Sequence, residues 1–276
     1  MKTVNWKLKI KRSVGFFRKN YIITIFIACI LFVGVVVVAR SYLSKPTYIY
    51  VKVKVGQGLW WATTAKPATW YVDSVNKGDV SLDILGKPEA KILFKKYYQW
   101  YGTDQYDVYL NIYLKVGRNK KTGEYTFNRA VLAVGSPIEV QFPKINITGT
   151  VISLSEKQFE EKLVERTIYL SKRGAFPWEL EAIKIGDSYF NGEEKIFEVI
   201  DKSGIELTNL TWDAYGNNTP SISEPSKYIT VKAKVKMKQV NGQWILGEDQ
   251  PIISGRAINI STPNFVFDNY IVSRIE

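Results

Sequence analysis

Tyr48-Ile49-Tyr50-Val51-Lys52-Val53-Lys54-Val55 holds to an alternation of residues with period two. Successive side chains of an extended chain point to opposite faces, so the pattern puts Ile49, Val51, Val53 and Val55 on one side and predicts a half-buried β-strand. Downstream the same grammar continues. Ala90-Lys91-Ile92-Leu93-Phe94 reads as a further strand, and Tyr106 to Val116 and Tyr125 to Val134 read as two long ones. The last two are joined by Asn119-Lys120-Lys121-Thr122-Gly123, a hairpin loop by composition. Gly135-Ser136-Pro137-Ile138-Glu139-Val140, Pro143 and Gly149-Thr150-Val151-Ile152-Ser153-Leu154 close the unit.

From Arg166 the same order returns. Thr167-Ile168-Tyr169-Leu170 stands for the opening strand, Trp178 for Trp70, and Ala182 to Asp187 for Ser74 to Asp79. Glu194-Lys195-Ile196-Phe197 is set against Ala90-Lys91-Ile92-Leu93, and Tyr228 to Met237 with Trp244-Ile245-Leu246 against the long hairpin. Gly255 to Ile260, Pro263 and Tyr270 to Ile275 repeat the close. Such ordered recurrence marks two copies of one all-β unit of roughly 110 residues. The expected fold is an all-β ectodomain of two tandem small β-barrel or sandwich domains, residues 46–154 and 166–276.

Between the copies, Ser155 to Glu165 is the one helical-looking segment of the ectodomain. Ser155 with Gln158 forms a capping box, and Phe159, Leu163 and Val164 share a helical face, which predicts a short connector helix over 155–165. The alternative is a continuation of the following strand. Asp79 and Asp187 each follow a glycine at one point of the repeat, which favours a turn over a ligand role.

Upstream of the first strand, Ile22 to Ala39 is an apolar run without charge. An 18-residue helix covers about 27 Å, close to a hydrocarbon core of about 30 Å, so the expectation is a transmembrane helix over residues 21–42. The leader, residues 1–20, carries Lys2, Lys7, Lys9, Lys11, Arg12, Arg18 and Lys19, which orient such a span with the N-terminus in the cytoplasm. A cleaved signal ending near Val37-Val38-Ala39 is the rival, but the apolar run exceeds the usual length of such regions. The expected location is the cytoplasmic membrane, single-pass, with the β domains outside.

The net charge of +12 suggests nucleic acid at first sight. Nine Lys and Arg with no acid fall in residues 1–45, leaving +3 for the rest, so the footprint of a nucleic-acid binder is missing. The chain has no histidine and one cysteine, Cys29, inside the apolar run. That removes Ser-His and Cys-His catalysis and the usual zinc sites, and no cofactor is expected. The carboxylate pairs Asp104/Asp107, Glu179/Glu181, Glu193/Glu194 and Glu248/Asp249 read as solvated surface. Aromatic residues are the stronger lead. Trp60 and Trp61, and the run Tyr97, Tyr98, Trp100 and Tyr101, exceed what one strand face can bury, so some should face outward to stack on sugars or fill a partner's pocket. Plugging a barrel end is the alternative.

Tyr228 to Val235, the stretch through Pro263 to Ile275, and Ile183-Lys184-Ile185-Gly186-Asp187 resemble the envelope family catalogued as domain of unknown function 4330. The resemblance covers most of residues 166–276 and implies one N-terminal span with a β-rich extracytoplasmic domain, but no activity. The leading functional expectation is a non-enzymatic, membrane-anchored scaffold or subunit of an envelope assembly, its partners the bilayer and other envelope proteins or further copies of itself. Polysaccharide binding and a periplasmic adaptor role are the alternatives, although an adaptor needs a long helical hairpin that this chain lacks.

Overall fold

The computed structural model describes residues 21–43, 46–56, 66–100, 102–207, 210–212, 218–220 and 226–276. The chain forms two compact units, Met1–Thr47 and Tyr48–Glu276. In the first, helix α1 spans Tyr21–Leu43. Ile22, Ile25, Phe26, Leu31, Phe32 and Val35 are all exposed on it. Among the described residues no helix is long and apolar enough to cross a membrane. The leader residues, Lys2 to Lys19, lie outside the described residues.

The second unit is all-β, with two curled eight-stranded sheets that bend as half-barrels. Sheet one takes β1 (Thr47–Val55), β2 (Val80–Leu82), β3 (Pro88–Gln99), β4 (Tyr106–Arg118), β7 (Pro137–Gln141) and β8 (Asn146–Ser155) in the order β2-β3-β4-β1-β8-β7, with β5 (Tyr125–Phe127) and β6 (Ala130–Leu132) extending from β4. Sheet two takes β9 (Leu163–Ala175), β10 (Ser188–Phe190), β11 (Lys195–Leu207), β14 (Ser226–Val240), β17 (Ala257–Ser261) and β18 (Val266–Ile275) in the order β10-β11-β14-β9-β18-β17, with β15 (Gln243–Leu246) and β16 (Gln250–Ile252) extending from β14. The two orders are the same once shifted along the chain. Among the described residues a small extra pair, β12 (Leu210–Trp212) with β13 (Asn218–Pro220), occurs in the second copy alone.

The alternation in β1 does what its period requires: Ile49, Val51, Val53 and Val55 are buried in the first core. Ile168 and Leu170 of β9 do the same in the second. Equivalence extends to single hydrogen bonds. Gly78 N–H donates to Ile92 O and Gly186 N–H to Val199 O, while Gly135 N–H donates to Val151 O and Gly255 N–H to Val272 O. Gly78 and Gly186 take φ of 92° and 87°, the left-handed region in which a Cβ is strained, so the repeated Gly-Asp is a turn. Asp79 there accepts the Asn76 N–H at 3.0 Å.

Three sequence expectations need correction. Tyr125 to Val134 is not one long strand but the hairpin β5–β6, turned by Asn128 and Arg129 at φ of 48° and 68°. Ile92 corresponds to Val199, three residues beyond the position that the similarity of Lys91-Ile92-Leu93 to Lys195-Ile196-Phe197 suggests. Side-chain likeness misleads because Ile196 and Phe197 are both buried, so period two breaks at that point. The connector helix over 155–165 does not form: β8 ends at Ser155, β9 starts at Leu163, and residues 158–162 carry no regular structure. Ser155 Oγ instead accepts the Lys157 N–H at 3.0 Å, a local turn that competes with capping. Two single-turn helices appear inside the repeats, α2 (Thr69–Ser74) and α3 (Pro177–Ala182).

Candidate functional site

The outer face of sheet one, the polar side of the alternation, is covered by the second repeat. Lys52, which the pattern in β1 places on the solvent side, is only 8% exposed. Its Nζ donates to Glu161 of the segment after β8 and, at 3.0 Å, to Glu248 in the β15–β16 turn. Glu161 also accepts Lys96 Nζ of β3 at 2.5 Å, and Glu248 accepts Lys238 Nζ of β14 at 2.7 Å. The result is a run of alternating charge, Lys96–Glu161–Lys52–Glu248–Lys238, that ties β1 and β3 to β14 and the β15–β16 turn. Beside it, Lys54 meets Asp107 at 3.3 Å and Asp249 at 3.2 Å, Lys66 meets Asp107 at 2.5 Å, and Tyr109 Oη donates to Asp249 at 2.9 Å.

Burial alone would raise the Glu161 carboxyl, but hydrogen bonds from Lys52 and Lys96 outweigh it and pull the group down to about 2. Lys52 responds in kind: burial lowers it, and the bond to Glu161 with the charge of Glu248 more than restores it, so it stays a cation. Burial pushes the phenols of Tyr98 and Tyr109 well up, and the charge of Asp249 pushes Tyr109 further. Each charge in the seam has an opposite partner, which a partly desolvated site requires.

The edge of β3 supplies the second half of the seam. Beyond Lys91 this strand loses its β2 partner, and the turn after β10 takes over. Lys95 N–H donates to Glu193 Oε1 at 3.2 Å, Tyr97 N–H to Asn191 O at 2.9 Å, and Gln99 N–H to Tyr189 Oη at 3.1 Å. Tyr189 Oη then donates to Tyr97 O at 2.9 Å. The turn fits because it is glycine at Gly192, where a Cβ would stand 2.7 Å from the Tyr97 ring. Gly247 plays the same part on the other side, its missing Cβ leaving room for the Tyr98 ring at 2.9 Å. A pocket of about 340 Å³ remains between the repeats, lined by Tyr98, Trp100, Asp107, Tyr189, Glu248 and Asp249 among others.

Of the aromatic candidates, Tyr97 and Tyr98 are half-buried and turn to opposite cores. Tyr97 packs on the first, edge-on to Tyr106 at 5.7 Å, and Tyr98 on the second. Trp100 borders the pocket with Lys66 Nζ 3.5 Å above its ring centroid. Trp60, Trp61 and Tyr101 lie outside the described residues.

No family model, curated protein or solved structure matches the chain.

The reading of the carboxylate pairs as solvated surface fails at several positions. Glu179 is 3% exposed, accepts the Phe176 N–H at 3.0 Å and pairs with Lys172 at 2.8 Å. Glu193 closes the β3 edge, and Asp107 and Glu248 are largely buried in the seam, whereas Asp249 pairs with Lys54 from an exposed position, as the surface reading expects. Among the described residues no group of His, Cys, Asp and Glu could hold a metal ion. One repeated device has no signal in the sequence at all. Lys95 Nζ donates to Val72 O and Val75 O at 3.0 and 2.8 Å, capping the end of α2. Lys202 Nζ does the same for Leu180 O and Ile183 O at the end of α3. The two lysines are equivalent because the bulge after Ile92 matches the bulge after Val199. Lysine at a helix C-terminus satisfies carbonyls that have no intrahelical donor.

Proposed function

We propose that the protein is a single-pass, membrane-anchored, non-enzymatic subunit of an envelope assembly, with residues 48–276 held outside the cytoplasm as one scaffold. The observation that carries the reading is α1, a 23-residue helix on which the apolar side chains of Ile22, Ile25, Phe26, Leu31, Phe32 and Val35 are exposed. Burying that much apolar surface is the largest free-energy gain open to the helix, and a bilayer supplies it. The flanking charge of residues 1–45 sets the polarity, N-terminus inside. A scaffold role is supported by the seam, whose titratable groups are engaged in holding two repeats together, and by the resemblance of residues 166–276 to a single-span envelope family. The polysaccharide reading draws less support, since the Tyr97 and Tyr98 rings are packed inward and one Trp100 face is taken by Lys66.

Two measurements test this. In membrane vesicles of known orientation, protease added outside is expected to digest residues 48–276 from right-side-out vesicles only; digestion of the same part from inverted vesicles alone would reverse the topology. In mild detergent the full chain is expected to co-purify with envelope proteins or with further copies of itself. A strictly monomeric, partnerless chain across ionic strengths would sink the scaffold reading.

A further inference from the structure

The joint between the two repeats has a receiving side, the β3 edge and outer face of sheet one, and an inserting side, the turns of the second repeat. Duplication means that each repeat carries both sides, but one joint uses only one of each. The receiving side of the second repeat and the inserting side of the first are left over.

The leftover receiving side is explicit. By register, Lys95, Tyr97, Tyr98 and Gln99 correspond to Lys202, Gly204, Ile205 and Glu206. Residues 93–99 are all half-buried, whereas Ser203, Gly204, Ile205 and Glu206 are all exposed. Lys202 N–H is taken by its own Asp201 carboxylate at 2.9 Å. The N–H groups of Gly204 and Glu206 point away from β14, as those of Tyr97 and Gln99 point away from β4, and no described residue covers them. Ile205 stands at the position where Tyr98 enters the neighbouring core, yet it is 67% exposed.

The leftover inserting side is the turn between β2 and β3. Asp83 holds it internally, its Oδ1 accepting the N–H groups of Leu85 and Lys87 at 2.9 Å each, with Lys115 on its Oδ2. That leaves Leu82, Ile84 and Leu85 outward, Ile84 with no contact shielding it at all. A strand edge whose Gly204 and Glu206 N–H groups meet no partner among the described residues, with an exposed isoleucine beside it, and a preformed apolar turn in the other repeat are the two halves of the contact that already exists inside the chain.

We propose that copies of this chain associate head to tail, the β2–β3 turn of one copy docking on the β11 edge of the next, around Ile84 and Leu85 against Gly204 and Ile205. Such a contact joins two different surfaces, so it extends into rows or closes into rings according to the rotation per step, and does not stop at a dimer. Strand edges left open are templates for pairing, and the apolar turn gives this one a specific occupant. The inference rests on the scaffold reading and names its partner as a second copy.

The test uses the full chain in mild detergent, in a Cys29→Ser background. Ile84→Cys chain is mixed with a size-tagged Ile205→Cys chain and oxidised. The expected product is a mixed disulfide dimer formed at least tenfold more than either variant forms alone, and a chain carrying both substitutions is expected to give a ladder of oligomers. A mixture that cross-links no better than the separate variants, or an Ile205→Cys chain that dimerises equally well alone, overturns the proposal. Both positions are exposed, and unchanged tryptophan fluorescence verifies folding. If cross-linking fails while other envelope proteins still co-purify, only this inference falls; if the chain is monomeric and partnerless, the scaffold reading falls with it.

Discussion

The two repeats share a strand order, a bulge, a Gly-Asp turn and a lysine cap, yet they have opposite exteriors. In the first, the polar face of the sheet carries Lys52, Lys54, Lys96, Asp107 and Tyr109 and is covered. In the second, the corresponding face carries Tyr169, Ser171, Ser203 and Ile205 and is open to varying degrees. The core and ladder of a duplicated unit are constrained alike, because both must exclude water and pair the backbone. The outer face is constrained only by what lies on it. Divergence between the copies therefore maps the seam more directly than conservation of their cores does.

The largest expected effect comes from breaking that comparison at one matched pair. Tyr98→Ala removes a ring that packs on the second core and should cost about 3 kcal/mol, in the range of aromatic truncations in well-packed sites. Ile205→Ala, at the equivalent position, should cost under about 0.5 kcal/mol in the monomeric state, as exposed substitutions do. Urea unfolding of both variants at low protein concentration checks the pair. Equal losses would mean that the two faces are equally covered.

Next comes the charge run. Glu161→Gln leaves Lys96 without its seam partner at 15% side-chain exposure and should destabilise by about 2 to 3 kcal/mol at neutral pH. The pH dependence follows from the sign of the shift. The folded-state carboxyl is depressed to about 2 from 4.5, so its contribution is complete above pH 4.5 and is lost as pH falls toward 2. Lys52, held above 10.5, adds a contribution that survives up to that value and fades only as the solution becomes strongly alkaline. Thermal unfolding between pH 6 and 2 should therefore fall more steeply for the parent chain than for Glu161→Gln, the two curves converging near pH 2.

How much of this was legible in the residues differs by layer. Period two in Tyr48–Val55 and the return of Gly-Asp at Asp187 are local signals, and they lead to the strands, the repeat and the shared turn. The covering of Lys52 is not local. Nothing in β1 distinguishes a lysine facing water from one facing Glu161 and Glu248, which are 109 and 196 residues away. The aromatic run Tyr97–Tyr98 exceeds what one strand face can bury, and the two half-buried rings turn to cores on opposite sides of the strand, a placement that no local pattern gives. The connector failed because a helical pattern over eleven residues is weak by itself, and Glu161 makes two seam ion pairs where it lies.

A smaller effect separates what the repeats share from what they do not. Lys95→Met and Lys202→Met each remove the donor to two carbonyls at the end of a single-turn helix, at a cost of about 1 to 2 kcal/mol in each case. The two losses should agree within error, because the cap is part of the duplicated frame. A difference is expected only in how far each loss spreads. Lys95 sits in the stretch of β3 that receives the second repeat, its N–H bonded to Glu193, so hydrogen exchange should quicken at Asn191–Glu194 as well as around α2. Lys202 sits on the open edge, and exchange should quicken around α3 alone. Spread of the Lys202→Met effect into sheet one would mean that the second repeat transmits strain through the seam, and confinement of both effects would mean that the β3 edge is held by its own sheet and owes little to the turn at Gly192.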